Sequence, residues 1–102
     1  MRTTHATLEV AIALMSDSFG KHWGYELSKT AGVRSGVLYP ILHRMLSQDL
    51  LVDGWEDATT IVDKRPPRRY YELTDEGRSA LGAMIVAARQ DARFNRLIGR
   101  LA

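Results

Sequence analysis

The titratable side chains of this sequence do not gather into a catalytic pattern. His5, His22 and His43 are scattered, without the spacing of metal ligands. No cysteine is present to act as nucleophile, thiolate ligand or disulfide partner. No glycine-rich phosphate loop followed by lysine occurs, and Asp75 and Glu76 sit where a helix begins rather than as an acid–base pair. An enzyme is not expected, nor a metal or a cofactor. The chemistry on offer is anion binding. Lys64, Arg65, Arg68 and Arg69 put four cations into six residues. Upstream, Ser35, Gly36, Tyr39, Pro40, His43, Arg44 and Ser47 are spaced to decorate the start, outer face and flanks of one helix. Cations neutralise phosphates, while donors and acceptors on an inserted helix read base edges in the major groove. Four neutralised phosphates would give log K a salt slope of about −3.6, at roughly −0.9 each.

Those residues need elements to hold them. A stretch over 4–18 repeats apolar residues at helical spacing (Leu8, Ala11, Ile12, Met15, Phe19), with Thr3 or Thr4 as cap and Gly20 near its end. A short helix over 24–31 turns Tyr25, Leu27 and Ala31 inward, and Gly32 supplies a left-handed C-terminus. Ser35 is the expected N-cap of a third helix running to about residue 48. There Leu38, Ile41, Leu42, Met45 and Leu46 form one apolar stripe, and Gly36, Pro40, His43 and Ser47 lie opposite. Residues 51–56 and 68–73 read as two short strands. Between them runs a polar loop ending in Pro66-Pro67, which cannot join a ladder. One of Tyr70 and Tyr71 should be core, and Trp23 and Trp55 read as packing rings. Thr74 caps a last helix, with Asp75 and Glu76 on its positive end. Its composition stays helical almost to residue 102, a length of roughly 40 Å if unbroken, with Asn95 or Gly99 as the expected place of a bend or end.

The order is helix, helix, turn, helix, strand, loop, strand, long helix. This predicts an α+β, mainly α, winged helix-turn-helix: a two-stranded wing and a C-terminal dimerisation helix, divided as a DNA-binding domain over 1–73 and a dimerisation segment over 74–102. The chain is 102 residues long, enough for one small core. The last helix carries one stripe of Leu81, Met84, Ile85 and Ala88 and a second, rotated one of Phe94, Ile98 and Leu101. Together they offer more apolar surface than that core can cover, so a second copy is the expected partner. A two-fold dimer would set two recognition helices about 34 Å apart. Net charge is only +2, so the local cluster rather than the overall balance points to nucleic acid. No apolar run reaches a membrane span and no signal-type stretch follows the start, so the expected setting is cytoplasmic. The alternatives are a winged-helix protein-interaction module and a nonspecific architectural DNA binder.

Three blocks stand out: Trp23-Gly24-Tyr25-Glu26-Leu27, then Ser35-Gly36-Val37-Leu38-Tyr39-Pro40-Ile41-Leu42-His43-Arg44-Met45, then Arg65-Pro66-Pro67-Arg68-Arg69-Tyr70-Tyr71-Glu72-Leu73-Thr74-Asp75-Glu76-Gly77. In this order they resemble the PadR family of bacterial regulators, over about residues 8–81. The sequence differs from the family pattern in Lys21-His22-Trp23-Gly24, where Pro-x-His-Gly is frequent, and in the acids Asp57 and Asp63 of the wing loop. The resemblance implies a homodimer built through the C-terminal helix, with help from the first. It implies repression of transcription at a palindromic operator in double-stranded DNA and, in many relatives, response to a small hydrophobic or aromatic effector. Carried over, residues 35–44 would be the recognition helix and residues 64–69 the wing tip.

Overall fold

The computed structural model describes residues 3–91. Its elements are α1 (His5–Met15), β1 (His22–Trp23), α2 (Gly24–Ala31), α3 (Ser35–Ser47), β2 (Leu51–Trp55), a short 3-10 turn (Ala58–Thr60), β3 (Arg69–Leu73) and α4 (Asp75–Arg89). The fold is α+β, mainly α, with a winged helix-turn-helix arrangement.

Helix α1 is the hub. Thr4 caps it, its Oγ1 accepting the Thr7 N–H at 3.1 Å. One side buries Val10, Ala11 and Leu14 with Leu27, Leu38, Ile41, Leu42, Met45 and Tyr71. Its other side packs Leu8 and Ile12 on Met84, Ile85 and Ala88 of α4. A helix covered on two sides must be apolar on two sides, and that widens its stripe beyond one face. The helix ends at Met15, so Phe19 falls outside it and is 80% exposed instead of extending the stripe. Phe19 is instead covered on one face by the Arg78 guanidinium, 4.2 Å from the ring centroid.

The sheet has three strands in the order β1–β3–β2, both pairings antiparallel, rather than the two expected. The extra strand pairs His22 with Tyr71 and Trp23 with Tyr70. Two residues are too short to show a period, so only the pairing partner reveals them. On β3 the alternation holds: Tyr71 is buried, while Tyr70 is half-buried under an edge-on Trp23 ring at 5.6 Å.

Two further expectations are corrected. The N-cap of α3 is Arg34, not Ser35, because the Arg34 carbonyl accepts the N–H groups of Val37 and Leu38. And α4 stops at Arg89, its end tightened by N–H bonds from Gln90 to Ala87 and from Asp91 to Ala88, instead of running on past Asp91. The change of stripe between Ala88 and Phe94 falls at this stop. Phe94, Ile98 and Leu101 lie outside the described residues. Leu81 is buried in the main core and Ala88 against Leu8, so over its described length α4 is part of the winged body. No described helix is long and apolar enough to cross a membrane.

Candidate nucleic-acid interface

The turn between α2 and α3 is pinned from within. Gly32 takes φ 69, the left-handed conformation that costs glycine nothing. The Ser28 hydroxyl then donates to the Val33 carbonyl at 2.5 Å, and the Val33 N–H donates back to the Ser28 carbonyl at 3.1 Å. With Leu27, Ala31, Leu38, Ile41, Leu42 and Met45 buried beneath, the rest of α3 is fixed by elimination. Ser35, Gly36, Tyr39, Pro40, His43, Arg44 and Ser47 are all exposed, as the 3.6-residue period required. No side chain caps the start of α3. Its first N–H groups therefore face solvent with the positive end of the helix dipole, a setting suited to a phosphate. The Ser47 hydroxyl is committed to the Arg44 carbonyl at 2.7 Å. His43 and Ser47 border a shallow depression shared with Asp53 and Arg69 of the wing.

Tyr39 is aimed by an absence. A Cβ on Gly24 would come within 2.3 Å of the Tyr39 phenol oxygen, so the bare backbone at the start of α2 is the seat of that ring. Gly54 does the same for Tyr70, whose oxygen would lie 2.5 Å from a Cβ there. The glycine of one motif and the tyrosine of the next are thus two halves of a single contact.

The four wing cations prove unequal. Arg65 grips Glu56 with two parallel bonds of 2.6 and 3.0 Å. Glu56 also accepts the Arg68 N–H at 2.8 Å, so one carboxylate closes the base of the loop. The Arg65 hydrogen bonds, then the one from Arg68, hold the Glu56 carboxyl down at about 2. Arg69 donates from Nε to Asp53 at 2.7 Å and lies 5.2 Å over the Tyr71 ring, and the Asp53 hydrogen bond pushes its own pKa up. Among the described residues, the side chains of Lys64 and Arg68 form no ion pair. Residues 53–69 contain four acids and four bases, so the wing is formally neutral. Its positive character is a matter of which cations are left facing outward.

Three residues in this region were not singled out by sequence reasoning. Tyr25, expected inside, is 74% exposed, and Trp55, expected to pack, is 65% exposed. Lys29 reaches to 5.3 Å over the Tyr25 ring. Tyr25 is the second residue of α2 and Trp55 the last of the edge strand β2, and both stay exposed, which the local period does not encode. Tyr25 and Glu26 at the start of α2, Tyr39 of α3, and Trp55, Arg68 and Arg69 of the wing border a groove of about 380 Å³.

A pinned helix-turn-helix whose second helix shows its polar face beside a hairpin defines the winged-helix class of DNA-binding proteins. The chain matches the model of the transcriptional regulator PadR-like family over residues 12–83, and it belongs to that family, which consists of transcription regulators. Among solved structures it resembles a PadR-like transcription factor from Bacteroides fragilis, at 29% identity, covering 96% of this chain and 92% of that one with a TM-score of 0.61. A PadR-like transcriptional regulator from Bacillus cereus matches at 26% identity over 87% and 89%, TM-score 0.63. A PadR family regulator from Clostridium difficile shares the fold at 23% identity over 92% and 95%, TM-score 0.61. No curated protein matches the sequence.

Proposed function

We propose that this chain is a sequence-specific DNA-binding regulator that acts in the cytoplasm as a homodimeric repressor on a palindromic operator. One observation carries the reading: α3 buries Leu38, Ile41, Leu42 and Met45 while every residue of its opposite face stays open beside the wing. In this reading Ser35, Gly36, Tyr39, Pro40, His43, Arg44 and Ser47 meet the major groove. Lys64 and Arg68 meet phosphates at the wing, with Arg65 and Arg69 held back by their carboxylates. Dimerisation falls to the outward part of α4, with Met84 and Ile85 at its half-buried margin and Val86 exposed, and to Phe94, Ile98 and Leu101 beyond it. Leu81 and Ala88 support that surface from inside the body. A small hydrophobic or aromatic effector would act by binding one spacing of the two heads better than another.

The test is selection of the purified protein on random 30-bp duplexes. Enrichment of a palindrome, bound about 1000-fold more tightly than scrambled DNA, is the expected result. Retention without enrichment would replace the reading with a nonspecific architectural binder. The neutral wing favours a second reading, a winged-helix module that docks protein, and failure to retain any duplex at low salt would select it.

A further inference from the structure

Adjacent major and minor grooves of a duplex are separated by one sugar–phosphate strand. If α3 occupies the first and the wing reaches the second, whatever lies between them must face that strand. Here that place is the groove bordered by Tyr25, Tyr39, Trp55 and Arg68. Its character matches a sugar–phosphate backbone in two ways. Deoxyribose is an apolar ring between anions, and the groove sets exposed aromatic side chains beside the Arg68 guanidinium, which is in no ion pair among the described residues, with Glu26 on the α2 side of the groove. Its other arginine, Arg69, is tied to Asp53 and the Tyr71 ring and serves as a wall.

We propose that this groove seats one DNA strand, with Trp55 and Tyr25 against deoxyribose and Arg68 on a phosphate. The inference rests on the DNA-binding reading but needs no sequence preference, since backbone contacts carry none. Trp55 then supplies affinity that salt does not screen, and Arg68 supplies affinity that it does. The exposed position of Trp55 on an edge strand makes its truncation harmless to folding, which a thermal melt checks.

A fluorescein-labelled 30-bp duplex of random sequence is titrated with the full chain, Trp55→Ala and Arg68→Ala at several salt concentrations. Trp55→Ala is expected to weaken binding about five- to tenfold with an unchanged salt slope, as befits an aromatic anchor. Arg68→Ala is expected to weaken binding and reduce the slope by about 0.9. In a Trp23→Phe background, where Trp55 is the sole indole, saturating duplex should quench and shift its emission. Unchanged affinity of Trp55→Ala, or unchanged Trp55 emission at saturation, overturns the seat. So does a change in sedimenting mass on Trp55 truncation, which would make this face a protein contact. Equal binding to selected and random duplexes, with the Trp55 effects intact, would instead remove sequence specificity and leave the seat standing.

Discussion

Gly77 shows how one residue can be required by a contact far away in sequence. Thr74 accepts the Gly77 N–H at 2.9 Å as the cap of α4 and donates its hydroxyl to the Asp49 carbonyl at 2.7 Å. Capping brings the first turn of α4 down onto the turn between α3 and β2, where a Cβ on Gly77 would stand 1.9 Å from the Leu50 carbonyl oxygen. That oxygen is backbone and already accepts the Thr74 N–H at 3.1 Å, so it cannot give way. Gly77→Ala is therefore expected to lower stability by about 1–3 kcal/mol, read as a fall in the thermal midpoint. An unchanged midpoint would show that the α3–β2 corner yields. Gly24 is a contrast, because the atom in its way is the free end of the Tyr39 side chain. The sequence showed both glycines as parts of motifs. It did not show that each was the seat of another residue, because the partners lie 15 and 27 positions away.

Among elements, the wing departs most from its reading as a string of charges. Its strands were legible from alternation and its loop from paired prolines, and both fall within a residue of expectation. The pairing of Arg65 with Glu56 and of Arg69 with Asp53 was not, because it depends on the register of β2 against β3, which sets Asp53 opposite Tyr71 and Trp55 opposite Arg69. The Glu56 clasp has a pH signature. Its carboxyl titrates at about 2 in the fold against an ordinary 4.5. A depressed carboxyl pKa stabilises the fold fully above the unfolded value, and the benefit fades as pH falls through the folded one. The gap in thermal midpoint between the natural chain and Glu56→Gln should hold steady down to about pH 4.5, then shrink and close near pH 2. A gap independent of pH would mean that the carboxylate charge does not hold the loop.

At the scale of the whole molecule, the proposed operator binding would depend on where two copies put their heads. The proposed dimer should sediment at twice the chain's 11.5 kDa. Its two recognition helices, about one DNA turn apart, should tolerate insertion of a full turn between half-sites better than insertion of half a turn. A monomeric mass at micromolar concentration, or indifference to half-turn insertions, would dissolve the two-headed model. Here the described structure also redistributes the sequence argument. Leu81 and Ala88 of the first α4 stripe are buried within the chain and Met84 and Ile85 are half-buried against the α1 side, so the proposed partner would be left only their open edges and the second stripe.

Local physics wrote much of this protein into its sequence. The period of 3.6 placed the buried and open faces of α3, glycine and threonine marked the ends of α2 and the start of α4, and the order of elements defined the winged class. Those features depend on neighbours within a few residues, so a linear reading reaches them. The two-residue strand, the early stop of α4, the exposure of Tyr25 and Trp55 and the division of the wing cations into tied and free were decided in three dimensions. Each depends on what a distant segment covers or pairs with, and burial and ion pairing are properties of neighbours in space.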